Sequence, residues 1–145
     1  MKKLNLFFIS IVALVVFTSA SQYLPFKNVL VESHQSVGLG SYEDVSATDF
    51  KKLISEKKYI LVDVRTVKEF QAGHLEGAIN IDWYQRTFET EIQKLDKTKP
   101  VLIYCRSGNR TSKTKFAMLG MGFQKVYNLK LGINDWARNQ YKFVK

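Results

Sequence analysis

Cys105 is the only cysteine in this 145-residue chain. It heads the run Cys105-Arg106-Ser107-Gly108-Asn109-Arg110, directly behind the apolar segment Val101-Leu102-Ile103-Tyr104. Each neighbour favours an ionised thiol. Gly108 lets the backbone curl so that successive N–H groups converge on one anion. Arg106 and Arg110 bring two positive charges, and the segment beyond them has the pattern of a helix, whose N-terminus turns unpaired N–H groups toward the sulfur. Such surroundings lower a thiol's pKa and make it a nucleophile. A lone cysteine at a strand end is ordinarily a small core residue. Here five polar, basic or glycine residues follow it, a poor setting for burial. The reading is therefore a nucleophile, Cys105, with Arg106, Ser107, Gly108, Asn109 and Arg110 as its anion-binding loop.

The chemistry open to such a thiolate is limited by its company. The chain has two histidines, His34 and His74, and neither neighbours Cys105 in sequence. Attack on the outer sulfur of thiosulfate needs no base, because sulfite leaves as a stable anion. The persulfide left on Cys105 can pass its sulfur to cyanide or a thiol, and a ring of N–H donors suits both steps. One cysteine allows no intramolecular disulfide and no four-cysteine zinc site, so neither a metal nor another cofactor is expected.

The elements that must hold the loop alternate along the chain. Ser46-Ala47-Thr48-Asp49 resembles a capping box with Asp in place of Glu and opens a short helix through Ile54. Tyr59 to Val64 is a near-continuous apolar run, the mark of a strand buried on both faces. Val67 to Gln71 reads as one or two helical turns closed by Gly73, and Gly77 to Ile81 as a short strand. Phe88, Ile92 and Leu95 recur at helical spacing. After Pro100, Val101 to Tyr104 is the most strand-like segment. A helix from Thr111 to Leu119, a strand from Lys125 to Leu129 and a helix from Ile133 to Gln140 complete the pattern. Alternating strands and helices predict a parallel sheet covered on both faces, an α/β domain of about 100 residues.

The N-terminus reads as an address. Lys2 and Lys3 precede the run from Leu4 to Phe17, which only Asn5 and Ser10 interrupt, and Thr18-Ser19-Ala20 supplies small residues for cleavage after Ala20. The run falls short of the roughly 20 apolar residues that span a bilayer, which favours a cleaved signal (residues 1–20) over a retained membrane anchor. The expected location is periplasmic or secreted, with no stable membrane association after cleavage. Formal net charge is +9; losing Lys2 and Lys3 from 22 Lys+Arg leaves 20 against 13 Asp+Glu, or +7. Export argues against a nucleic-acid partner, and the remaining positive field concentrates small anions. Residues 21–41 form an N-terminal extension, whose apolar islands Leu24, Phe26 and Val29 to Val31 could add a short strand. The domain proper is expected over residues 42–145, as a monomer.

Several separated motifs also resemble those of the rhodanese family. They are Asp63-Val64-Arg65, Glu69-Phe70, Gly73-His74-Leu75-Glu76-Gly77-Ala78-Ile79-Asn80, the loop Cys105 to Arg110, Gly122-Phe123, and Gly132 with Trp136, in the family's order and spacing across Val45 to Tyr141. The resemblance implies a three-layer α/β/α domain with a five-stranded, mainly parallel sheet. It also implies thiosulfate sulfurtransferase activity through a persulfide on Cys105, with no cofactor. Asp63, Arg65 and Glu69 match positions expected to form an ion-pair network under the loop, His74 a hydrogen-bonded scaffold residue, and Trp136 a core residue. Two departures stand out. Leu131-Gly132 replaces the family's frequent paired glycines, and a leucine forced to positive φ would reshape that loop. Asp82 stands where proline is frequent, changing a turn.

Three rival readings follow from the same loop. Related dual-specificity phosphatases hold phosphate with C-x5-R, whereas Cys105 to Arg110 is C-x4-R, with Thr111 at the longer position. A persulfide carrier or binding module serving a partner protein needs the same cysteine. Thiol redox work ordinarily recruits a second cysteine, and none exists. The expected partners are a small anionic sulfur donor and a thiol or cyanide acceptor, with a protein persulfide partner as the alternative.

Overall fold

The computed structural model describes residues 40–145. The expected signal segment 1–20, nearly all of the extension 21–41 and its candidate strand at Leu24, Phe26 and Val29 to Val31 lie outside the described residues.

The buried run of the sequence sets the frame. Strand β4 (Val101–Tyr104) is buried throughout and sits at the centre of five strands, with β1 (Ser41–Val45), β2 (Ile60–Asp63), β3 (Ile79–Asn80) and β5 (Lys125–Leu129), in the order β1-β5-β4-β2-β3. Every pairing is parallel, so the sheet is wholly rather than mainly parallel. Alternation along β4 divides the core into two. Val101 and Ile103 join one cluster with Val62, Phe88, Ile92 and Met118, while Leu102 and Tyr104 join the other with Phe50, Leu129, Ile133 and Trp136. Helices α3 (Phe88–Gln93) and α4 (Asn109–Gly120) therefore cover one face, and α1 (Ala47–Ser55) and α5 (Ile133–Arg138) the other. This is the three-layer α/β/α arrangement.

The helix starts are local events. The Ser46 side chain accepts the Asp49 N–H at 3.2 Å, but its hydroxyl donates to the Asp49 carboxylate at 2.8 Å, so only half of the expected capping box forms. A complete box opens α2 (Val67–Ala72): Thr66 accepts the Glu69 N–H, and the Glu69 carboxylate accepts the Thr66 N–H at 3.0 Å. Strand β1 is a feature that sequence pattern missed. Only Val45 of its five residues is buried, and the strand is held at the sheet edge by backbone pairing from Ser41↔Lys125 to Val45↔Leu129.

Chain order puts a crevice beside β4. From β2 the chain moves outward to β3, whereas from β4 it moves the opposite way to β5. The loops leaving β2 and β4 thus diverge at the carboxyl edge of adjacent strands, the position where open α/β sheets build their sites.

Candidate active site

Cys105 follows the last residue of β4, and its side chain turns inward rather than out with its polar neighbours. It is 1% exposed and belongs to the cluster containing Val64, Ile103 and Met118. The expectation of a poorly buried thiol is corrected here: the loop's polarity lies in Arg106, Ser107 and Asn109, whose exposed side chains form the rim. The Gly108 N–H donates to the sulfur at 3.2 Å, and the buried Thr111 hydroxyl lies 3.7 Å from it. Burial is the largest single influence and pushes the thiol's pKa up. Hydrogen bonds from the Thr111 N–H and hydroxyl, and from the Ser107 and Gly108 N–H groups, together outweigh it and hold the thiol below its ordinary value. Helix α4 starts at Asn109, two residues earlier than the pattern suggests, so Asn109 and Arg110 are its first turn.

Two glycines make the loop possible. Gly108 has φ +93°, and a Cβ there would stand 2.1 Å from the Lys130 carbonyl oxygen. Gly132 has φ +65°, and a Cβ there would meet the Arg106 carbonyl and the Ser107 nitrogen at 2.5 Å. The chain after β5 therefore presses directly onto the cysteine loop. Its N–H groups at Ile133 and Asn134 donate to the carbonyls of Cys105 at 2.8 Å and Arg106 at 3.1 Å. Positive φ falls on Gly132 and not on Leu131, which is half exposed, so the expected disturbance from leucine does not arise.

The supporting charges form two pairs rather than one network. Arg65 lies buried against Asp63, donating from Nε at 2.9 Å and from Nη2 at 2.6 Å, and also donates to the Gly73 carbonyl at 2.7 Å. Asn80 straps the same turn, its amide donating to the carbonyls of Asp63 and Arg65. Arg110 makes a bidentate pair with Glu69 at 2.7 and 2.8 Å. The Arg110 hydrogen bonds are foremost in holding the Glu69 carboxyl down to about 2, against the opposing pull of burial and with help from Thr66. The Arg110 charge acts on Cys105 through space as expected, but it is also paired with Glu69, whereas Arg106 is exposed.

Residues 46–139 match the family described as Rhodanese-like domain. The chain belongs to that family. Over 111 residues it is 31% identical to a tRNA uridine(34) hydroxylase of Yersinia pestis, covering 74% of this chain and 31% of that protein. Over 104 residues it is 30% identical to YrkF of Bacillus subtilis, described provisionally as a sulfur carrier protein, covering 71% of this chain and 55% of that one. The chain thus spans about a third to a half of the curated relatives it matches. Among solved structures, a rhodanese-related protein of Thermoplasma volcanium superposes with a TM-score of 0.63 at 26% identity, covering 71% of this chain and 98% of that one. A rhodanese-like domain of Anabaena gives 0.62 at 20%, covering 70% and 77%.

Other conspicuous residues of this rhodanese-like domain are engaged elsewhere. The His74 ring stacks on Phe70 with Nδ1 3.1 Å from the Phe70 carbonyl, and its backbone exchanges two hydrogen bonds with Val144. Trp136 is buried and donates from its indole to the Lys142 carbonyl. Thr111 went unnoticed as a sulfur partner in the sequence, where it counted only as the residue after Arg110. A hydroxyl one helical turn beyond the loop glycine was the available signal.

Proposed function

We propose that this rhodanese-like domain is a sulfurtransferase of the thiosulfate type, working through a persulfide on Cys105. The observation that carries this reading is the sulfur itself: a sole cysteine held by the Gly108 N–H and the Thr111 hydroxyl, with its pKa lowered in a buried site. The thiolate attacks the outer sulfur of thiosulfate; a new S–S bond forms, the old one breaks, and sulfite leaves with the electron pair. Cyanide then takes the outer sulfur as thiocyanate, or a thiolate takes it as a new persulfide, and the Cys105 thiolate is restored. Neither half-reaction needs a proton from the protein. The N–H groups that stabilise the starting thiolate also stabilise it as leaving group. The loop from Cys105 to Arg110 is C-x4-R, one residue shorter than the C-x5-R that holds a phosphoryl group, which argues against the phosphatase reading.

The likeness to YrkF supports a second reading, in which the acceptor is a partner protein and the domain is a persulfide carrier. We also propose export of the chain, on the strength of Lys2-Lys3, the apolar run to Phe17 and the small residues before Ser21; sequencing the mature N-terminus tests it. The transfer reading is tested by intact mass after thiosulfate and again after cyanide, with Cys105→Ser alongside. The expected result is a gain of one sulfur atom that cyanide removes and that the variant never shows. A wild-type protein that gains none refutes transfer from thiosulfate.

A further inference from the structure

On the sheet face opposite the thiol, two cavities of about 440 Å³ each adjoin, sharing Ile54, Ser55 and Glu76. One reaches down to Leu61 and Leu102, the other to Leu75 and Trp136. All four belong to the core cluster under α1 and α5, whereas Cys105 belongs to the cluster on the other side of the sheet. An occupant of this groove would therefore lie apart from the sulfur. Each volume falls within the range of small-molecule sites, about 300–1,000 Å³, and the junction at half-buried Ile54 makes the space long rather than round.

The rim of the groove is charged, and unevenly so. Lys57 borders the first cavity, and Lys51 and Lys142 the second. All three are exposed, and none forms an ion pair among the described residues. The Lys51 ammonium sits over the Tyr141 ring, 4.2 Å from its centroid, and the Tyr141 hydroxyl lies 3.2 Å from Thr48 Oγ1, which ties this end of the groove to α1. Glu76, the one carboxylate in either lining, stands at the junction. It repels an anion from the middle, and the two lysines make the Trp136 end the favoured place for one. Two full charges there exceed the partial negative charge, at most about half an electron, at the C-terminal end of α5. Both ends are shaped by sharp turns in which non-glycine residues take left-handed backbone, Lys57 at φ +53° after α1 and Gln140 at φ +56° after α5.

We propose that this groove binds a medium-chain alkyl carboxylate, with the carboxylate at Lys51 and Lys142 and the chain laid over Ile54 toward Leu61 and Leu102. A long apolar floor with uncompensated cations at one end matches a chain with a single anionic head. A compact polyanion would leave the floor unused and would meet Glu76. Binding is reversible and makes no covalent bond, so the inference stands independently of the persulfide on Cys105.

Isothermal titration calorimetry on the full-length protein at about pH 7 tests it, with decanoate kept below the concentration at which it aggregates. Hexanoate, neutral decanol and phosphatidylglycerol vesicles serve as the comparisons. Decanoate is expected to bind one to one and to weaken with added salt. Affinity should rise about twofold to threefold per methylene, somewhat less than full burial would give, and hence at least about tenfold from hexanoate to decanoate. Lys51→Gln combined with Lys142→Gln is expected to weaken decanoate about tenfold and to leave decanol within about twofold. Lys97→Gln combined with Lys113→Gln removes the same charge outside the groove and should leave decanoate binding unchanged. Absence of saturable decanoate binding overturns the proposal, as does equal weakening by the two double variants or an affinity that ignores chain length. Binding to the vesicles without binding to free decanoate would overturn it too, as the behaviour of a membrane-surface patch.

Discussion

Substituting Glu69 by Gln removes one charge and almost nothing else, which makes the Glu69–Arg110 pair the sharpest place to test the electrostatics of the site. The amide oxygen can still accept the Thr66 N–H that caps α2, so the helix start survives. What is lost is the bidentate clasp at 2.7 and 2.8 Å between side chains 29% and 12% exposed. The carboxyl falls from its usual 4.5 to about 2. At about 1.4 kcal/mol per pH unit that is about 3 kcal/mol of preference for the charged form. Partial exposure trims this, and about 2–3 kcal/mol is the expected loss at about pH 7. The sign follows from the depression. In the folded chain the carboxylate stays charged down to about 2, whereas in the unfolded chain it takes up a proton near 4.5. The contribution is therefore complete above the unfolded value and drains away as pH falls through the window between the two. Urea denaturation of both proteins at about pH 7, and then at steps below the unfolded value, measures it through the midpoint at unchanged m. A neutral-pH loss under about 0.5 kcal/mol would refute the reasoning, as would a gap that stays constant on acidification.

Two further substitutions address the cysteine loop. Thr111→Val removes the hydroxyl near the sulfur at nearly constant volume, and the Gly108 carbonyl keeps its bond from the Ser112 N–H. The Cys105 titration, followed by thiolate ultraviolet absorbance, is expected to move upward, and loading at neutral pH to slow by about threefold to tenfold, since a hydrogen bond to a charged group is worth about 1.5 kcal/mol or somewhat more. Thr111→Ser should restore both, and an unmoved titration in Thr111→Val would remove the hydroxyl from the account. Gly132→Ala sets a Cβ 2.5 Å from the Arg106 carbonyl at a φ of +65°, so the loop must shift. The expected result is a loss of about 1–3 kcal/mol in urea together with an altered thiolate titration; wild-type values for both would show that the two loops are not in close contact.

The candidate nucleophile, its strand and the helix behind it were legible because each is a local statement. Val101 to Tyr104 is apolar at every position, which a centrally buried parallel strand requires, and the glycine in the following loop marks where the backbone must turn. The starts of α1 and α2 are equally local, decided by side chains three residues apart. Strand β1 was hidden for the opposite reason. Four of its five residues are exposed, and its place comes from backbone pairing with a strand more than eighty residues away, which leaves no periodic trace.

The sequence by itself determined the alternation of elements, the family's motifs and the position of the one thiol at a strand's carboxyl end. Tertiary structure alone decided what that thiol experiences. Glu69 and Arg110 lie 41 positions apart, and only the fold brings the first turns of α2 and α4 close enough to pair them. Gly132 touches Arg106, and Cys105 disappears beneath a polar rim, through the same stacking of layers. Side-chain period and capping are encoded within a few residues, but charge compensation and burial depend on which distant segments share a neighbourhood.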